Sequence, residues 1–192
     1  MKNQIKEYIN LSIDIKKKLL DEEEIISNVE ELANKCLESL RNCGKIIFAG
    51  NGGSFGDAQH ISAEFTSRFL FDREPLASIA LATNNSAVTA IGNDYGYEHI
   101  FSRELKAIGN KEDIFIPITT SGNSKNIIEA IHVANSLGIY TTCLTGNSGG
   151  KIKDLCKTII VPSEATDRIQ ECHILIGHIV CAIVESRYFK QE

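Results

Sequence analysis

The chain has 192 residues, 43% of them hydrophobic, enough to bury one full core, and no linker, low-complexity tract or internal repeat divides it. Lys and Arg number 20 against 25 Asp and Glu, and the net charge of −5 argues against a protein that coats nucleic acid or an anionic membrane, so any anion site must be local. The six cysteines are scattered without a C-x-x-C pair, which excludes a zinc ribbon or thioredoxin-like centre and reads as reduced thiols in a reducing compartment.

The opening residues lack an apolar run of signal-peptide length, and no later segment reads as the roughly 20 apolar residues that cross a bilayer. The expected location is cytoplasmic, with neither a membrane nor a nucleic acid as partner. From Lys2 to about Arg41, Ile5, Ile9, Ile13 and Ile15 and then Ile25, Ile26, Val29, Leu32, Cys36, Leu37 and Leu40 recur at spacings of three and four. This predicts two amphipathic helices ahead of the first strand, whose apolar stripes suit packing against a second subunit.

Short runs rich in β-branched residues follow, each succeeded by a helical pattern. They cover Lys45 to Ala49, Leu76 to Leu81, Ile114 to Thr119, Ile139 to Leu144 and Thr158 to Val161, and their near-continuous hydrophobicity fits parallel strands covered on both faces. Helices are expected at about Ser54 to Phe69, Asn84 to Gly92, Tyr97 to Ile108, Asn123 to Leu137 and Thr166 to Tyr188. The alternation predicts an α/β fold, a three-layer, doubly wound, five-stranded parallel sheet with two extra N-terminal helices, forming one domain over residues 1–192. Ligands in such sheets bind beyond the carboxyl ends of the strands.

Two loops at those ends could hold a phosphate. Gly50-Asn51-Gly52-Gly53-Ser54 crowds three glycines into a strand-to-helix turn, where backbone N–H groups can approach an anion; alternatively it is a tight turn, since it matches neither the dinucleotide nor the P-loop pattern. Thr119-Thr120-Ser121-Gly122-Asn123-Ser124 places four hydroxyls at a helix start. Helix capping needs only one of them, and the surplus points to an anion.

His60 and Glu64 stand four residues apart on the helix after the glycine loop, hence on one face. Gln170 and His178 fall on nearly one face of the last helix, with His173 between them. His, Glu, Gln and His can make a mixed nitrogen and oxygen site for a divalent metal, zinc being the usual occupant, although spacing alone does not bring the two helices together and a lone helical histidine is commonly a core residue.

Gly50 to Ser54, Asp57, His60, Glu64, Gly92-Asn93-Asp94-Tyr95-Gly96-Tyr97-Glu98, Ser121-Gly122-Asn123-Ser124 and Arg168-Ile169-Gln170-Glu171-Cys172-His173 together resemble the phosphoheptose isomerases, members of the sugar isomerase (SIS) fold. The resemblance runs through essentially the whole chain in order. It implies an aldose-ketose isomerase converting sedoheptulose 7-phosphate to D-glycero-D-manno-heptose 7-phosphate through an enediol, for nucleotide-activated heptoses of lipopolysaccharide or capsule. It also implies one Zn2+ per subunit on His60, Glu64, Gln170 and His178, with Glu64 and His178 catalytic and His173 not a ligand. The implied substrate contacts are Asn51, Gly52, Gly53, Ser54, Glu64, Asn93, Asp94, Thr119, Thr120, Ser121, Ser124, Asp167 and Gln170, with Asp57 at the pocket edge and Arg68 an outer contact. The family pattern further implies a homotetramer, with residues 1–42 at an oligomer interface. Thr119 stands where the family often has serine, which keeps the hydroxyl. Competing readings are a non-catalytic SIS regulator that binds a protein partner, and an isomerase or sensor of another phosphosugar.

Overall fold

The computed structural model describes residues 1–189, so the last three residues of the expected domain lie outside the described residues. Two helices, α1 (Lys2–Asp21) and α2 (Glu23–Arg41), lead into the sheet. The strands are β1 (Ile46–Gly50), β2 (Ser78–Ala80), β3 (Ile114–Thr119), β4 (Tyr140–Gly146) and β5 (Lys157–Val161). All pair in parallel, in the order β2-β1-β3-β4-β5. The helices between and after them are α3 (Gly53–Thr66), α4 (Asn85–Asp94), α5 (Ile100–Ile108), α6 (Lys125–Leu137) and α7 (Thr166–Phe189).

Side-chain alternation along the strands builds two cores. Ile46, Phe48, Ile114, Ile116 and Ile118 face α2, α3 and α7 through Leu32, Cys36, Phe65, Ile176 and Val180, whereas Ile47, Ala49 and Phe115 face α5 and α6 through Phe101, Leu105, Ile127 and Ile131. Each such side chain taken out of water contributes about 1.5–3 kcal/mol before chain entropy is set against it. The chain leaves β1 for β2 on one side and returns to β3 on the other. The strand order therefore reverses between β1 and β3, and their carboxyl ends flank an open crevice.

Element boundaries depart from the sequence expectation where loop chemistry intervenes. The segment expected as one helix from Tyr97 divides into a 3-10 turn, Tyr97–His99, and α5, after Gly96 turns the chain at φ +98°. The helix expected from Asn123 begins at Lys125, because Gly122 at φ +64° bends the chain and Ser124 becomes the N-cap residue. A 3-10 turn at Gly150–Asp154 went unread. The expectation that no segment has spanning character is also corrected. α7 is long and apolar enough by length and composition, but half of that stretch is buried against α2 and α3, as in the core helix of a globular fold.

Candidate functional site

β1 ends at Gly50 and the chain turns through Gly52, at φ +56°, into the N-terminus of α3. A β-carbon on Gly53 would meet the carboxamide end of the Gln170 side chain, which lies over the start of α3. Two turns on, a β-carbon on Gly177 would collide with the Ile61 side chain. Gly177 lets α3 and α7 cross closely, and His60 and His178 are the immediate neighbours of Ile61 and Gly177 in sequence.

The crossing brings the two faces together. His60 Nε2 lies 3.1 Å from His178 Nε2 and 3.1 Å from Glu64 Oε1, and one donor atom from each of the three residues falls within 4.8 Å of the others. Ligand atoms bound about 2.0–2.1 Å from a tetrahedral ion are separated by about 3.3 Å, so this donor set fits a zinc-type ion. Gln170, two turns before His178 on α7, lays its carboxamide over Gly53 with the nitrogen nearest. The Phe69 ring stacks on His178 with centroids 5.4 Å apart and planes 20° apart, and fixes the imidazole plane.

Phe69 is itself held. Its backbone N–H and that of Leu70 donate to Glu185 at 2.9 and 2.7 Å, and Glu185 pairs with Arg73 at 2.9 Å in a site where both side chains are almost fully buried. Arg73 also donates to the carbonyl of Glu64 at 2.7 Å. Burial pushes the Glu185 carboxyl up, and these donors overcome that and hold it below the usual carboxylate range. One turn before His60, burial raises the Asp57 carboxyl, opposed by His60, and its buried Oδ2 has no hydrogen-bond partner among the described residues.

Across the crevice, Thr119 and Ser124 hydroxyls lie 3.1 Å apart, the Asn123 N–H donates to Ser121 Oγ at 3.2 Å, and the α6 N-terminus opens behind them. The loop rests on a second turn. β-Carbons on Gly122 and Gly150 would collide with the backbones of Gly149 and Ser121, and the Lys151 N–H donates to Asn123 Oδ1 at 3.2 Å. Several backbone amides and hydroxyls at a helix N-terminus suit a phosphate without any arginine.

Against this geometry, the SIS domain family matches residues 7–146. The phosphoheptose isomerase of Aneurinibacillus thermoaerophilus is 53% identical over 100% of this chain and 98% of its own length, and that of Sulfurimonas denitrificans is 50% identical over 98% and 97%. The chain belongs to the phosphoheptose isomerase family of SIS domain enzymes. The solved phosphoheptose isomerase of Neisseria gonorrhoeae superposes with a TM-score of 0.90 at 40% identity, covering 96% of this chain and 98% of that one.

Within this SIS isomerase, His60, Glu64 and His178 converge, Thr119 joins Ser124, and Gln170 meets Gly53. Asn93 and Asp94 end α4, exposed and bonded to each other at 2.8 Å, and are tied to β1 only indirectly, through the following Tyr97. Asp167, at the start of α7, is engaged by Arg168 at 2.9 Å. Arg68, beyond the end of α3, is exposed and outside the ion pairs seen among the described residues. His173 is fully buried, with Nε2 3.1 Å from the Thr145 carbonyl, and burial lowers its pKa to about 4, so it is a neutral core residue whose ring N–H donates.

Sequence reasoning missed Phe69, Arg73 with Glu185, Asn126, and the Gly149-Gly150 turn. Two signals were available. Paired glycines at a strand end mark a close backbone approach, and Arg73 is the one cation between Arg68 and Leu76 that could neutralise a buried acid on α7.

Proposed function

We propose that this chain interconverts sedoheptulose 7-phosphate and D-glycero-D-manno-heptose 7-phosphate through an enediol, as a single domain spanning residues 1–192. The observation that carries the reading is the convergence of His60, Glu64 and His178 in a chain 53% identical to a phosphoheptose isomerase.

Thr119, Thr120, Ser121 and Ser124 with the α6 N-terminus hold the phosphate, while Asn51, Gly52, Gly53, Ser54, Asn93, Asp94, Asp167 and Gln170 line the remainder of the sugar. One zinc ion per subunit, held by His60, Glu64, Gln170 and His178, would supply Lewis acidity toward the sugar oxygens. Glu64 takes a proton from C1 of the ketose while His178 protonates the C2 oxygen, giving the enediol. His178 then accepts the proton of the C1 hydroxyl as Glu64 returns a proton to C2, and the aldose results. Each group ends as it began. The Phe69 ring keeps His178 aligned through both transfers.

The subunits associate as a cytoplasmic homotetramer, with residues 1–42 at the interface, and the product feeds nucleotide-activated heptose synthesis. Incubating the purified protein with sedoheptulose 7-phosphate, with and without a chelator, should give aldose that the chelator suppresses. A folded, zinc-loaded protein that forms no aldose would refute the reading and favour a non-catalytic SIS protein.

A further inference from the structure

We propose that Asn126 and Tyr97 are positioning residues that present the Asn51 side chain to the sugar phosphate as a hydrogen-bond donor only, an inference that rests on the function proposed above. Asn51 follows β1 in a loop whose next residues, Gly52 and Gly53, have no side chains to fix it. Its orientation comes from elsewhere. The Asn51 and Asn126 carboxamides form a two-way pair, Asn51 Nδ2 donating to Asn126 Oδ1 at 2.9 Å and Asn126 Nδ2 donating to Asn51 Oδ1 at 2.8 Å. The Tyr97 hydroxyl donates to the same Asn51 oxygen at 3.1 Å.

A carboxamide oxygen has two lone pairs and its nitrogen two hydrogens. On Asn51 both lone pairs and one hydrogen are spent, which leaves one N–H for a ligand. That group can meet a phosphate oxygen or the lone pair of a sugar hydroxyl, and it turns away a donor. Asn126 is 4% exposed, on the first turn of α6 behind Ser124, and is held in place by the core. Tyr97 lies three residues after Asp94. The pair and the phenol thus fasten together the loop that follows β1, the first turn of α6 and the turn that follows α4.

The test measures kcat and KM for sedoheptulose 7-phosphate, and its Kd by calorimetry, for the zinc-loaded wild type, Tyr97→Phe, Asn126→Ala, Asn51→Ala and the Asn51→Ala/Asn126→Ala double variant. Loss of one neutral hydrogen bond predicts a KM and Kd about two- to fourfold higher for Tyr97→Phe, and loss of the pair about tenfold higher for Asn126→Ala, with kcat within about threefold of wild type. Because Asn126 acts through Asn51, the double variant should be no worse than Asn51→Ala alone. Penalties that multiply would mark Asn126 as an independent structural residue and overturn the proposal, as would an unchanged KM in either single variant. Tyr97 is 60% exposed, so Tyr97→Phe folds and decides the matter alone should Asn126→Ala not fold. A wild type that turns over the sugar while the variants match it removes this inference only; a wild type that neither binds nor converts it removes the proposed function as well.

Discussion

At the residue scale the site depends on which groups can hold or move a proton. Glu64 is assigned both a metal-facing oxygen and the carbon-bound proton, and Glu64→Gln separates the two, because the amide keeps an oxygen toward the ion but has no basic carboxylate. Turnover is expected to fall at least about a hundredfold, the usual scale for a lost general base, while calorimetric affinity for sedoheptulose 7-phosphate stays within a few-fold. Unchanged turnover would take the base role away from Glu64. His173 makes a different prediction. Burial holds its pKa at about 4, against 6.5 in the unfolded chain, so between these values the unfolded state binds the extra proton and stability falls with acidity. From pH 6.5 to pH 5 the loss should be about 1–2 kcal/mol. Urea unfolding at the two pH values in the presence of chelator measures it, and His173→Gln run alongside subtracts every other titrating group. Equal acid sensitivity in the two proteins would show that His173 does not stay neutral in the fold.

At the scale of elements, the β-branched runs and the three-and-four spacings were enough to read the parallel strands, the two leading helices and the faces carrying His60 with Glu64 and Gln170 with His178. What they left open was whether those faces meet. Helix meeting is a property of crossing distance, and its only trace in the chain is a glycine inside a long apolar helix, Gly177, which periodicity treats as neutral. The hydroxyl loop was legible from its surplus of Thr and Ser. The Gly149-Gly150 pair marked a close approach but not its partner, because that contact joins residues about 28 apart that share no pattern. The crossing can be tested directly. Gly177→Val forces two methyl groups onto Ile61, which is 1% exposed and cannot swing aside, and overpacking of this kind costs about 1–3 kcal/mol. The variant should lose that much stability in urea and also retain less zinc after dialysis, since His178 is the next residue. Undiminished zinc retention would mean that the close approach of α3 and α7 is not what assembles the donor set.

At the scale of the whole molecule, one chain leaves too much apolar surface uncovered. Ile5, Tyr8, Ile9, Leu11 and Ile13 on α1, with Leu20 and Ile26 beside them, are each more than 40% exposed, and α1, α2 and α7 enclose an open groove of about 470 Å³ lined by Leu19, Leu20, Ile25, Ile26, Ile179 and Ile183. Scattered exposed apolar residues are ordinary, but Ile5, Ile9 and Ile13 at four-residue spacing, on a chain that also has an open apolar groove, mark surface suited to burial. α1 is fastened to its own chain by Leu19 and Ile15 against the core and by Ser12 and Lys16, which donate to Glu171 at 2.5 and 3.2 Å, while Ile5, Ile9 and Ile13 stay exposed. A second copy of the chain offers the same stripe, and pairing two of them fits the closed symmetry usual for soluble oligomers. The stripe calls only for a partner and the resemblance to the phosphoheptose isomerases supplies the number four, so sedimentation of the purified protein is the test of the proposed homotetramer. Ile9→Lys together with Leu20→Lys places cations in the stripe and should shift the distribution toward smaller species at micromolar concentration, with the fold retained because neither side chain is buried within one chain. A wild type that sediments as a monomer, or a double variant that remains tetrameric, would show that this face is not the interface.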